Sequence, residues 1–417
     1  MDALAFLKDK TKTATGRWVF IVLCLLPVVG GIVGKLISHA WAFMDVDALL
    51  CAARAEAAGH SPYGILTCPD LAPAPYVYAP QVAALFAPAI IALGGMGSRI
   101  VYTLVFLLPA TTFLVWYSLG KAMPRLDWRY RWLAFSALTP MAFYCANIGL
   151  VMHAVVAATL MLYPRRRLPF VAAVLACAFI KPTFLLYFAA FLFEERPLRE
   201  RLATFGSAAM AGLGVVAVTA MTAGTYAGAW HQALSSVALE TQPGLGWFAL
   251  TSMVHLPASA PMTLILTVIF MGAMLASALA LAEWGGLSGD ERKLLALGVA
   301  PLMTPRLMDY DMFLIVPYVA LLMSLVPSLG GRTWRTYVSW GFAGMLLFGI
   351  VCNIVHLKHW PRTHAAMFVF CVLTMVVGAR IGLNVWEEEK KKRAALAGGI
   401  GKGQYQRPSS VPASFRR

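Results

Sequence analysis

The sequence predicts an all-α polytopic membrane protein of about 12 transmembrane helices, and three observations predict it. Of the 417 residues, 60% are hydrophobic and only 13% are charged, with a mean hydropathy of +0.71. Soluble domains are far less apolar. Apolar stretches of about 15 to 25 residues recur between positions 18 and 386, close to the length a helix needs to cross hydrocarbon. There only helices and closed barrels satisfy their own backbone groups, and these runs lack the alternation of barrel strands. Finally, the Lys and Arg residues behind the net charge of +15 sit in short loops and tails between the apolar runs. The positive-inside rule produces that distribution, so no nucleic-acid partner is expected.

Taken in order, Lys8, Lys10, Lys12 and Arg17 place the N-terminal tail, 1–17, in the cytoplasm. A first helix follows over 18–40, longer than the apolar core of a signal peptide. It leads outside into the largest outer loop, 41–97. The apolar piece 81–95 inside that loop is short for a span. Letting it cross would deliver Lys121, Arg125, Arg129 and Arg131 to the outer face, so it reads as a re-entrant or interfacial segment. Basic loops at 120–131, 164–167, 194–201, 283–293 and 328–336 then alternate with spans at 98–119, 132–147, 149–163, 168–181, 183–193, 202–224, 262–282, 294–305, 311–327, 337–355 and 365–384. The membrane domain is therefore 18–386, with both termini cytoplasmic. The basic tail 387–417 turns rich in Gly, Ser, Pro and Arg from about residue 397 and is expected to be disordered. Several middle spans are shorter than the roughly 20 residues a bilayer wants, which points to tilt, local thinning or an outer cavity. No internal repeat is visible.

Seven cysteines show no C-x-x-C and no zinc spacing. Cys51 and Cys68 share the first outer loop, where the redox compartment permits a disulfide and geometry decides whether one forms.

Ionisable groups at the outer ends of apolar helices are costly and so are candidates for function. Asp45 and Asp47 follow the first helix. Either can act as a general base, taking a proton from a hydroxyl while a phosphate leaves a sugar carbon; either can equally be a solvated boundary residue or a helix cap. Tyr63, Tyr76 and Tyr78, interleaved with Pro75, Pro80 and Pro88, suit a wall against lipid or a plain aromatic belt. Asn147 marks one outer hairpin and Lys181, before Pro182 and Thr183, marks the next. A lysine at the end of an apolar run either snorkels or meets an anion such as phosphate. The stretch TPRLMDYD at 304–311 offers Arg306 as a bidentate phosphate clamp and Asp309 or Asp311 to orient it; an internal salt bridge closing the hairpin is the other reading. Trp230, His231, Glu240, Gln242 and Trp247, then His356, Lys358, His359, Trp360, Arg362 and His364, add polar and aromatic groups of the kind that bind sugars. His153, inside a span, reads as a packed, hydrogen-bonded histidine rather than a ligand. No Walker loop, G-x-S-x-G, H-E-x-x-H or dinucleotide fingerprint in a fitting context appears, so neither ATP nor a soluble nucleotide sugar is the obvious donor.

The succession Met44-Asp45-Val46-Asp47, Ala52-Ala53, Gly59 to Tyr63, then Tyr76, Tyr78, Pro80 and Pro88 resembles family 87 of the glycosyltransferases. These are C-type membrane enzymes related to a polyprenyl-phosphate-mannose-dependent mannosyltransferase. Asn147, Lys181-Pro182-Thr183 and the hairpin 304–311 fall where that family carries its hairpins, its lysine and a polar outer loop, so the resemblance spans about residues 18–320. Two places depart from the family pattern: Asn147-Ile148-Gly149 stands near a frequent Gly-Gln pair, and 304–311 stands where many members carry a Trp-x-His-His-like element.

The resemblance implies a C-type glycosyltransferase bundle in the bacterial inner membrane, with a large first periplasmic loop holding interfacial helices. It implies a lipid-linked sugar phosphate as donor and an essential aspartate in that loop, which Asp45 fits by its distance to Ala52 and Ala53, with Asp47 as fallback. The expected activity moves a mannose-like hexose from a polyprenyl phosphate to a hydroxyl of a periplasmic lipid or glycan. Lys181 and Arg306 would hold the departing phosphate, while Asp47, Asp309, Asp311, Tyr63, Tyr76, Tyr78, Asn147 and His231 would support the acceptor or the geometry. No cofactor or metal is required by this scheme. The alternative is a transporter or flippase of lipid-linked sugars, which commonly shows inverted repeats and midplane sites rather than ionisable groups on one face.

Overall fold

A computed structural model describes residues 2–37, 42–64, 66, 68–120, 126–138, 141–163, 166–237, 244, 246–248, 251, 261–329, 331–354 and 361–397. Lys121, Arg125, Glu240, Gln242, His356, Lys358, His359, Trp360 and the tail from 398 lie outside them, as do the side chains of Asp309, Arg362 and His364.

Among the described residues every regular element is helical. Five stretches are long and apolar enough to cross a membrane: Ala14–Ile37, Pro80–Leu119, Leu198–Met221, Pro261–Trp284 and Tyr310–Leu329. Ile148–Met161, Arg167–Ile180 and Pro182–Phe193 are shorter apolar helices. Along Ala14–Ile37 the side chains of Val22, Leu26, Val29 and Leu36 are exposed, although the helix is apolar on all sides. Such a surface belongs in hydrocarbon, and this is the build of an α-helical membrane protein. The Tyr310–Leu329 stretch is different: it is buried along most of its length and forms the central post. Gly289–Leu302 packs directly against it, because Gly298 leaves room for Tyr318 where any Cβ would collide.

The Pro80–Leu119 stretch is not one rod. Gly94 adopts φ 68°, in the left-handed region that favours glycine. The Ser98 hydroxyl donates to the Ala89 carbonyl at 3.0 Å across nine residues, a separation that would span about 13 Å in a straight helix. The chain therefore reverses at Gly94, and residues 81–93 form an arm separate from the helix that follows.

Other boundaries shift for identifiable reasons. The span expected over 132–147 is divided into Trp128–Phe135 and Met141–Tyr144, with Pro140 between them lacking a backbone donor. Pro182–Phe193 is wound as a 3-10 helix, which covers more length per residue than an α-helix. Residues 387–397, expected to be irregular, instead continue the helix Pro361–Ala397. Good helix formers fill that segment, with Arg393 and Glu389 paired at 3.8 Å one turn apart and Lys390 over the Trp386 ring.

The basic loops converge on one end of the bundle. Ala3 N donates to Ser339 Oγ at 3.2 Å and Arg129 Nε to Thr11 Oγ1 at 2.5 Å, joining the N-terminal segment to the N-terminal parts of Trp128–Phe135 and Arg332–Ile354. Arg167 meets Glu194 at 2.9 Å, and Glu283 binds both Arg201 at 2.6 Å and Arg292 at 3.0 Å. Ile148–Met161, Arg167–Ile180, Pro182–Phe193 and Gly289–Leu302 run between that end and the opposite one, each about 20 Å long.

Candidate functional site

At the opposite end the segment after the first long helix becomes its own helix, Met44–Ala57, with Asp45 and Asp47 in the first turn, where a helix dipole favours carboxylates. Phe43 N donates to the Tyr144 carbonyl at 3.0 Å and Asp45 N to the Cys145 carbonyl at 3.1 Å, which ties this turn to the segment before Ile148–Met161. Phe43 and Ala146 on either side of that tie have φ of 65° and 54°. Non-glycine residues pay of order 1–3 kcal/mol for such a conformation, and it persists where the surroundings enforce it. A disulfide between Cys51 and Cys68, with Cα atoms 5.8 Å apart, fastens the helix to the loop behind it.

The two aspartates have separate fates. Asp45 is partly exposed and lines a cavity of about 430 Å3. Its Oδ2 accepts from Asn147 Nδ2 at 2.9 Å. Burial pushes its carboxyl above the ordinary value, while the Asn147 amide, Cys145 and then the charges of Arg306 and Lys181 pull it back down. Asp47 is fully buried, with Arg99 Nε donating to Oδ1 at 2.8 Å, Arg99 Nη2 to Oδ2 at 2.5 Å and Ala72 N to Oδ2 at 2.9 Å. Both oxygens are occupied and Asp47 does not line the cavity, so it clamps its own helix and the loop at Ala72 to the helix that follows Gly94 instead of standing by as a second base.

Asn147 is the hub. It caps Ile148–Met161 by accepting from Gly149 N at 2.7 Å, and its amide also donates to the Tyr78 hydroxyl at 3.2 Å. Gly149 is required there, since a Cβ would sit 2.8 Å from both Asn147 Oδ1 and the Tyr310 ring. Tyr76 and Tyr78 line the cavity, whereas Tyr63 does not. Tyr63 donates to the Tyr78 carbonyl at 2.9 Å and lies tilted against the Tyr76 ring, 5.6 Å between centres, holding the wall from behind. Trp230 Nε1 donates to the Val77 carbonyl at 3.3 Å, and Gln81 Nε2 donates to Thr222 Oγ1 at 2.8 Å, so the loop is pinned to the Leu198–Met221 and Ala227–Ser235 helices.

Lys181, at the end of Arg167–Ile180, Arg306 and His231 line the same cavity. Lys181 Nζ donates to Asp311 Oδ1 at 3.0 Å and lies 4.8 Å from the centre of the Tyr310 ring. Asp311 stands behind the cavity wall, 2% exposed. It also accepts from Met308 N at 2.9 Å and sits 2.7 Å from His153 Nε2, while the Tyr187 hydroxyl is 2.7 Å from His153 Nδ1. His153 is thus a satisfied buried histidine at the base of a chain that ends on a cavity lysine. Asp311 of the 304–311 hairpin pairs across the site with Lys181.

Asp45, Tyr76, Tyr78, Asn147, Lys181, His231 and Arg306 therefore share one cavity, and Asp47, Tyr63 and Asp311 support its walls. Arg99, Tyr187 and Tyr310 escaped sequence reasoning. Arg99 carried a usable signal, since a lone arginine within an apolar run demands a partner. The arrangement sets a carboxylate and two cations around a space within the about 300–1,000 Å3 typical of small-molecule sites, with apolar lining from Val77, Ile180, Leu234 and Phe248. No protein-family model, curated protein or solved structure matches the chain.

Proposed function

We propose that the chain is a bacterial inner-membrane glycosyltransferase that moves a mannose-like hexose from a polyprenyl phosphate to a hydroxyl of a periplasmic lipid or glycan. The observation that carries this reading is the meeting of Asp45 with Lys181 and Arg306, from hairpins far downstream, in one cavity.

In the reaction Asp45 removes the proton of the acceptor hydroxyl as its oxygen bonds to the anomeric carbon. The bond from that carbon to the phosphate oxygen breaks, and its electron pair stays on the phosphate. Lys181 and Arg306 stabilise the charge that develops there, and attack opposite the leaving group inverts the anomeric centre. The raised pKa of the Asp45 carboxyl makes it a stronger base once ionised. Apolar lining residues accommodate the first isoprene units of the donor. Placing the basic end in the cytoplasm sets this cavity on the periplasmic side, and the Cys51–Cys68 disulfide suits that oxidising compartment. The fuller C-type bundle of about 12 spans, with 81–95 as a re-entrant arm, belongs to the same reading.

The test is incubation of reconstituted protein with labelled polyprenyl-phosphate hexoses and an envelope lipid extract. Label in a new glycolipid or glycan, with release of polyprenyl phosphate, is the expected result. Movement of intact donor across the vesicle without bond cleavage would assign transport instead.

A further inference from the structure

Pro182–Phe193 runs for 12 residues as a 3-10 helix, with Lys181 at its N-cap. Such helices rarely exceed about four residues, and a longer one marks strain or function. At about three residues per turn, positions i, i+3 and i+6 eclipse one another. Lys181, Phe184 and Tyr187 accordingly stand in one row, with Lys181 Nζ 5.9 Å from the centre of the Phe184 ring and that ring 5.4 Å from the Tyr187 ring. In an α-helix, at about 100° per residue, Tyr187 would stand about 120° round from Lys181.

The row faces His153 and Asp311. The His153 ring lies 4.7 Å from the Phe184 ring, and its Nδ1 is 2.7 Å from the Tyr187 hydroxyl. Its Nε2 is 2.7 Å from Asp311 Oδ1, and Lys181 Nζ reaches both Asp311 oxygens, at 3.0 and 3.2 Å. Tyr187, His153 and Asp311 are all buried, whereas Lys181 lines the Asp45 cavity. An ionised carboxylate only accepts, so His153 Nε2 carries a proton, and the neutral ring then accepts at Nδ1 from the Tyr187 hydroxyl. His153 on Oδ1 and Met308 N on Oδ2, 2.9 Å away, stop the carboxylate from turning. A buried polar chain of this kind is seldom more stabilising than an apolar core of the same shape. What it adds is a fixed place for the group at its end, here an ammonium on an otherwise flexible four-carbon stem.

We infer that His153 and Tyr187 are positioning residues for Lys181: brought into register by the 3-10 helix, they lock Asp311 and so aim the lysine ammonium at the phosphate of the substrate. The inference rests on the phosphate-binding role proposed for Lys181 and adds the origin of its aim.

The experiment uses Tyr187→Phe in the full chain in nanodiscs, which removes one oxygen and leaves the ring, with His153→Gln to assign the signals of that histidine. In nitrogen-15 histidine spectra the parent should show His153 neutral and protonated at Nε2, and Tyr187→Phe should shift its Nδ1 signal. A ring protonated at Nδ1, or an Nδ1 signal indifferent to Tyr187→Phe, would overturn the relay whether or not the protein transfers hexose. The second measurement is the affinity for dodecyl phosphate, which needs no glycosyl transfer. Tyr187→Phe should weaken it about threefold, yet leave it unchanged in a Lys181→Met background. An equal loss in both backgrounds marks a residue that only supports the fold and would overturn the assignment, as would no loss in the parent or no binding of dodecyl phosphate at all. Absence of hexose transfer with both results intact would strike the proposed reaction and leave the relay standing.

Discussion

The Asn147 side-chain amide donates to the Asp45 carboxylate at 2.9 Å, although 102 residues separate them in the chain. The contact holds Oδ2 of the Asp45 carboxylate at the edge of the cavity. It also makes the cap of Ile148–Met161 part of the site, because the same side chain accepts from Gly149 N.

Gly149→Ala tests that coupling. The added methyl would press on Asn147 Oδ1 and the Tyr310 ring, so either the cap or the ring must move. Transfer should fall at least tenfold with a stability loss of about 1–3 kcal/mol, read from turnover and the apparent melting temperature.

Asp47→Asn should act on stability. It leaves the Arg99 guanidinium, 19% exposed, without its counter-charge at a buried site. Removing one partner of such a pair costs about 3–5 kcal/mol. The apparent melting temperature should drop far more than for any change at Asp45, and a variant as stable as the parent would contradict the clamp.

Lys181→Met should lower turnover about 10²–10³-fold, the scale of losing one group that stabilises developing charge. Asp311→Asn should also impair transfer, because Asp311 holds Lys181 at 3.0 Å. In a double-mutant cycle the two losses should fall short of additive, with a coupling of about 0.5–3 kcal/mol.

The pH dependence follows from the Asp45 carboxyl, which burial holds above its ordinary pKa. A general base must be ionised, so turnover should rise with pH through that elevated value. Stability runs the other way: a raised folded-state pKa favours the protonated form, a contribution present at low pH and lost as pH rises through the folded value. A pH profile of turnover beside one of unfolding should show these opposite slopes, and Asp45→Asn should remove the second.

Asp45, Lys181 and Arg306 were legible in the sequence because charge at the edge of an apolar run is rare and costly. The convergence of the basic loops was legible for the same reason. The role of Asp47 was not, because its partner lies 52 residues away across the reversal at Gly94, and hydropathy records no change of direction. Tyr63 looked like a lining group and is a strut, since composition cannot tell which side of a wall a ring occupies. The helix through 387–397 was hidden by its charge, which reads as a solvated tail until the turn-to-turn pairing of Glu389 with Arg393 is seen.

Asp45→Asn keeps an oxygen that can accept from Asn147 while removing the proton acceptor, so it separates binding from chemistry. The measurement is single-turnover transfer from a labelled polyprenyl-phosphate hexose, alongside the affinity for the same donor. Transfer reduced by at least about 10²-fold, with donor affinity within a few-fold of the parent, is the predicted result. Undiminished transfer by a correctly folded Asp45→Asn protein would contradict the account.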